Sequence, residues 1–114
     1  MMLMIVILRD ESLVRKVVGA LVELELFESA VLDGEAIENL AVRTIPVFED
    51  VGRWFGQSLG YNRTILVALR DRAEADAFVG LCRRDGVDLA RPETATLLLV
   101  PCERYAPPAG EAAP

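Results

Sequence analysis

The chain has 114 residues, a length that suits one domain with a single hydrophobic core. Its formal net charge of −6 argues against nucleic-acid binding, because neutralising phosphate groups requires a basic surface. The absence of histidine removes the most common general base and metal ligand, and two cysteines are too few for a disulfide scaffold.

Residues 3–8 form the first apolar run and predict a strand buried on both faces, because no polar residue interrupts them. The run is too short to span a bilayer and no small-residue cleavage site follows it, so we expect a cytoplasmic protein. Asp10 can cap a helix over residues 11–24, in which apolar residues recur at helical spacing. These apolar residues are Leu13, Val14, Val17, Val18, Leu21 and Val22.

A long connection separates the next two predicted strands, residues 29–33 and residues 64–69. Gly34 opens this connection, which is too long for an ordinary turn and too apolar for a simple linker. Its apolar residues at helical spacing are Phe48, Val51, Trp54 and Phe55. These four residues either pack on their own domain or dock on a partner protein, and the pattern leaves both alternatives open.

The last third of the chain repeats the strand, helix, strand pattern. Asp71 can cap a second helix, and Gly86 can end it in a left-handed conformation. The apolar stripe of this helix is Ala75, Phe78, Val79 and Cys82. Residues 96–100 predict a fourth strand, and residues 106–114, rich in proline and alanine, predict a disordered tail.

This order of elements predicts an α+β domain over residues 1–105, a ferredoxin-like βαββαβ sandwich. Right-handed crossovers place both helices on one face of a four-stranded antiparallel sheet. Three of the four strands are apolar on both faces, so the face without helices would expose a continuous aliphatic patch. We therefore expect copies of the chain to pack sheet against sheet in a homo-oligomer.

Residues 1–105 also resemble the PII-like signalling proteins, relatives of the nitrogen-regulatory PII trimers. The resemblance depends on the order and spacing of several short stretches rather than on any one motif. These stretches are residues 7–9 (Ile-Leu-Arg), 30–34 (Ala-Val-Leu-Asp-Gly), 45–48 (Ile-Pro-Val-Phe), 62–65 (Asn-Arg-Thr-Ile), 88–89 (Asp-Leu), 91–94 (Arg-Pro-Glu-Thr) and 99–101 (Leu-Val-Pro).

The resemblance implies a non-catalytic homotrimer whose sheets face inward and which requires no cofactor. It implies clefts between subunits that bind a small anionic effector, commonly an adenine nucleotide. It also implies that the long connection, residues 34–62, docks on a membrane transporter or an enzyme, with neither nucleic-acid binding nor membrane insertion. The candidate ligand residues are Asp33, Gly34, Arg63, Arg91, Thr94 and Arg104, and the candidate docking residues are Phe48, Val51, Trp54 and Phe55.

Each candidate ligand residue also has an ordinary structural explanation. The arginines suit phosphate or carboxylate ligands, but they can equally pair with the many acidic residues of the surface. Thr94 can bind a ligand or begin a strand, and residues 33–34 can form a strand-ending turn. Related proteins have a glycine-rich turn where this chain has Glu-Thr-Ala at 93–95, and a threonine where it has Ala30.

Those departures favour a second hypothesis, an interaction trimer that has lost its ligand. A third hypothesis is a small cofactor-free enzyme on the same fold, whose conceivable polar groups are Glu35, Glu38, Tyr61 and Asn62. The lack of histidine argues against it. A related metal-tolerance trimer would have only carboxylates with which to bind a metal.

Overall fold

The computed structural model describes residues 1–34, 37 and 62–110. Its elements are β1 (Met2–Leu8), a 3-10 helix (Glu11–Leu13), α1 (Val14–Glu23), β2 (Ser29–Gly34), β3 (Asn62–Leu69), α2 (Arg72–Arg84) and β4 (Ala95–Pro101). The four strands form an antiparallel sheet in the order β2-β3-β1-β4. The predicted ferredoxin-like α+β architecture is therefore confirmed. The candidate docking residues Phe48, Val51, Trp54 and Phe55 lie outside the described residues.

One face of the sheet carries the core. Alternate residues of the two central strands point to the helices and are at most 1% exposed, namely Met4, Val6, Leu8, Ile65, Val67 and Leu69. Buried residues of the helices pack against them, namely Val17, Ala20 and Leu21 from α1 and Ala75, Phe78 and Cys82 from α2. Val79 is half-buried beside this core, so the predicted stripe of α2 is largely confirmed. Cys82 is buried and Cys102 exposed, and both thiols are free.

The start of α1 differs from the prediction. Asp10 is a cap, since its carboxylate accepts hydrogen bonds from the Ser12 amide at 3.0 Å and the Ser12 hydroxyl at 2.7 Å. These bonds lower the pKa of Asp10. The Leu13 amide then bonds back to the Asp10 carbonyl, three residues earlier, so a 3-10 turn precedes the α-helix, which begins at Val14.

The predicted apolar stripe of α1 was wrong at one position. Val22 is 54% exposed, while Ala20, which the prediction omitted, is buried next to Leu21. A helix turns by about 100° per residue, so Val17, Ala20 and Leu21 share one side and Val22 points away from it.

Strand boundaries are wider than the sequence predicts. Gly34 was predicted to open the long connection, but it is the last residue of β2 and pairs with Asn62 of β3. β4 begins one residue earlier and ends one residue later than predicted. Residues 106–110 of the predicted tail are exposed and outside any helix or strand. The described residues include no helix that is long and apolar enough to cross a membrane.

The other face of the sheet, here called the open face, carries neither α1 nor α2, the helices that the structure describes. Strand register places nine aliphatic residues and two threonines on it: Leu3, Ile5, Ile7, Ala30, Leu32, Leu66, Ala68, Leu98, Val100, Thr64 and Thr96. Leu32, Leu98 and Val100 are each more than 40% exposed. The open face is therefore a continuous aliphatic surface, with both threonines in the row that contains Ile7.

Candidate functional site

The candidate ligand residues are divided between the two ends of the sheet. At the loop end, where β1 finishes and β3 begins, lie Asp33, Gly34, Arg63, Arg91 and Thr94. Arg104 lies at the opposite end, the Met1 end, where β1 begins and β4 finishes. Five of the six candidates are thus brought to one end of the sheet by the topology.

Asp33 and Arg63 form an ion pair across the β2–β3 ladder. Arg63 Nε lies 2.6 Å from Asp33 Oδ1, but among the described residues no acceptor meets the geometry of a hydrogen bond to this N–H. The Asp33 side chain is 86% exposed, so solvent screens the attraction. The ion pair therefore orients the Arg63 guanidinium at the start of β3, where the long connection ends. One N–H of this group is left without a hydrogen bond to the described residues.

Gly34 and Asn62 face each other at the point where the chain leaves the sheet and returns to it. A Cβ atom on Gly34 would lie 3.2 Å from the Asn62 carbonyl oxygen, so glycine permits a close approach here. The side-chain oxygen of Asn62 is buried and, among the described residues, accepts no hydrogen bond.

The segment here called the 91–96 turn consists of a turn over residues 91–94 and the first two residues of β4. The amides of Thr94 and Ala95 donate to the Arg91 carbonyl at 2.9 and 3.1 Å. Arg91 Nε lies 3.8 Å from the Glu93 carboxylate, and both side chains are exposed. Thr94 is half-buried and follows the charged pair. The turn therefore places Arg91 at the surface, where the carboxylate of Glu93 partly balances its charge.

Arg9 contacts this turn, and sequence reasoning missed it. Its guanidinium donates from Nη1 to the Pro92 carbonyl at 3.0 Å and from Nη2 to Thr96 Oγ1 at 2.7 Å. Its backbone amide donates to the Thr94 carbonyl at 3.0 Å. The one signal in the sequence is its place, an arginine directly after a buried strand. Such a residue lies at the end of the sheet, where loops from distant parts of the chain meet.

At the Met1 end, Arg104 reaches across the sheet from β4 toward β2. Its Nη2 lies 2.6 Å from both carboxylate oxygens of Glu28, and this hydrogen bond raises the pKa of Arg104. Three shallow grooves, of about 270, 300 and 320 Å³, adjoin Glu28, and the largest of these three lies on the open face beside Leu3 and Leu66. Arg104 can share a ligand with the loop-end residues only if a second copy of the chain supplies one of the two ends.

The three candidate arginines therefore all lie beside carboxylates: Arg63 beside Asp33, Arg91 beside Glu93 and Arg104 beside Glu28. The ordinary structural explanation thus accounts for their contacts within one chain. An anionic ligand would have to displace these carboxylates or use guanidinium donors that remain free, since each guanidinium carries five N–H groups. The described residues contain no group of His, Cys, Asp or Glu arranged to bind a metal ion.

Comparison with known proteins adds no assignment: no protein-family model matches the chain, and no curated protein sequence matches it.

Proposed function

We propose that this protein is a non-catalytic regulatory protein of the PII-like kind. It assembles as a homotrimer, binds a small anionic effector, an adenine nucleotide, in clefts between subunits, and acts through residues 34–62 on a partner such as a membrane transporter. The open face is the observation that carries this proposal. Nine aliphatic residues lie there, and neither of the helices that the structure describes covers them.

The open face supports assembly because of its composition and its continuity. Removing apolar surface from water stabilises association by roughly 25 cal/mol per Å². Monomeric proteins rarely leave so continuous an aliphatic surface exposed. Packing the open faces of several copies together covers it, and the rims of the packed sheets then create clefts between subunits.

The loop end supports a ligand-controlled role for the long connection. The chain leaves the sheet at Gly34 and returns at Asn62, beside the ion pair of Asp33 and Arg63. A ligand in a cleft at this end would contact both roots of the connection. It can shift the connection between conformations only by binding one of them more tightly than the other.

The proposal is tested by titrating the protein with ATP, ADP, AMP and cyclic nucleotides. Trp54 is the only tryptophan and lies within the long connection, so its emission reports on that segment. We expect a saturable change in emission and a rise in melting temperature with nucleotide concentration. Arg91→Gln should weaken this response, whereas the control Arg84→Gln, which removes a surface arginine paired with Glu23, should not.

No response to any nucleotide would count against nucleotide sensing and favour a second candidate, a trimer that acts only by protein interaction. The carboxylates beside all three candidate arginines favour this candidate, because they already balance the charges that would attract a phosphate. It predicts that binding of a membrane protein is abolished by Trp54→Ala and is indifferent to nucleotide.

A further inference from the structure

Among the described residues, Arg9 donates three hydrogen bonds, and all three go to the 91–96 turn. Their acceptors are the Pro92 carbonyl, the Thr94 carbonyl and the Thr96 hydroxyl, at 3.0, 3.0 and 2.7 Å. The two side-chain bonds leave from different nitrogens of one planar group. Because that plane is rigid, satisfying both bonds fixes the spacing between the start of the turn and the start of β4.

The hydrogen bonds within the 91–96 turn have a different effect. Thr94 and Ala95 both donate to the Arg91 carbonyl, which fixes the local shape of the turn but not its place relative to the sheet. Among the described residues, Arg9 supplies the side-chain hydrogen bonds that join the 91–96 turn to the end of β1. Thr96, the second acceptor, lies on the open face opposite Ile7. Arg9 therefore stands where the turn meets the rim of the open face.

We propose that Arg9 is a positioning residue: its guanidinium fastens the 91–96 turn to the end of β1 and so sets where Arg91 and Thr94 lie at the loop end. The proposal rests on the proposed function only for the consequence that nucleotide affinity depends on Arg9. The placement of the turn can be measured without any ligand.

The test compares hydrogen exchange of the peptide covering residues 90–96 in the wild type, Arg9→Lys, Arg9→Gln and Thr96→Val. Lysine keeps the charge but replaces two nitrogens of one rigid plane with a single ammonium nitrogen on a flexible stem, so it cannot fix the spacing of the two acceptors. Losing one such bond should speed local opening on the order of 2- to 12-fold. Arg9→Lys and Thr96→Val should each show this increase, and Arg9→Gln combined with Thr96→Val should give less than the product of the two single effects.

Arg84→Gln is the matched control, because it removes an exposed arginine that donates to Glu23 at 3.3 Å on the helical surface. It should leave exchange of residues 90–96 unchanged. Unchanged exchange in Arg9→Lys, or an equal increase in Arg84→Gln, would overturn the proposal. The first outcome would show that a positive charge at residue 9 is enough to hold the turn in place. The second would show that exchange in the turn follows the stability of the whole protein.

Binding of ADP then separates this proposal from the proposed function. If the wild type binds ADP, Arg9→Lys should weaken binding, because ligand binding must then also order a turn that Arg9 no longer holds in place. Equal ADP affinity with faster exchange would overturn the role of Arg9 in the site while the proposed function stands. Faster exchange in Arg9→Lys with no ADP binding by the wild type would refute nucleotide sensing and support Arg9 as the fastener of the turn.

Discussion

Cys82 shows how one buried side chain ties the stability of this protein to pH. Cys82 is 0% exposed and lies on the side of α2 that packs against the core. Burial, with a smaller contribution from the negative charge of Asp85, raises the pKa of Cys82 to about 11. In the unfolded chain the thiol ionises near pH 8.5. The folded state therefore keeps a proton that the unfolded state releases, and this difference favours unfolding as the pH rises.

The free energy of unfolding should fall between about pH 8.5 and pH 11 by roughly 2–3 kcal/mol through Cys82 alone. Below that range the thiol is neutral in both states, so its contribution to stability is fully present. Denaturant unfolding of the wild type and Cys82→Ala at pH 8 to 11 isolates the effect, because alanine cannot ionise and all other groups are shared. The stability difference between the two proteins should shrink with rising pH. A constant difference would contradict the raised pKa.

At the scale of elements, helices α1 and α2 end in the same motif with different residues. In α2, Gly86 has a φ of +87°, and the amides of Gly86 and Val87 bond back to Arg83 and Cys82. In α1 the corresponding bonds run from Glu25 and Leu26 to Val22 and Leu21, with Glu25 at φ +57°. A side chain in this left-handed region is strained, whereas glycine is not.

Glu25→Gly should therefore raise the free energy of unfolding by about 1 kcal/mol, since the relief of strain exceeds the extra entropy of glycine in the unfolded chain. Glu25→Ala is the control, because it removes the charge and keeps the strain, and it should change stability little. Gly86→Ala should do the reverse of Glu25→Gly and destabilise by a similar amount. Thermal unfolding at one protein concentration measures all three. A gain in Glu25→Ala equal to that in Glu25→Gly would assign the effect to charge.

Sequence patterns predicted the order of these elements because hydrophobic spacing and capping residues act over one or two turns of chain. The left-handed Glu25 escaped prediction, since no glycine marks the end of α1. Contacts of the candidate site escaped it for another reason. Arg9 reaches acceptors 83 and 87 residues away, and Arg104 pairs with Glu28 across 76 residues. Such pairings depend on the order of the strands in the sheet and on the face of the sheet to which each side chain points. The composition of the chain contains neither piece of information.

At the scale of the whole molecule, clefts between subunits form only if copies of the chain pack together through the open face. Leu98 lies on it and is 47% exposed, while Val22 lies on the helical surface and is 54% exposed. Within one chain, lysine at either position should change stability by no more than about 0.5 kcal/mol, because neither side chain is in the core. In a sheet-packed trimer only Leu98 is buried, and a lysine there would leave an unpaired charge in an apolar interface.

We therefore expect the wild type and Val22→Lys to sediment as trimers at micromolar concentration, and Leu98→Lys to sediment as a folded monomer. Circular dichroism of Leu98→Lys should retain the helix and strand signal, which separates dissociation from unfolding. A wild-type monomer would remove the clefts between subunits and, with them, the meeting of Arg104 and the loop end. A Leu98→Lys trimer beside a dissociated Val22→Lys would place the interface on the helices. Either result would leave the open face without a role in assembly, and the nucleotide proposal would need a site within one chain.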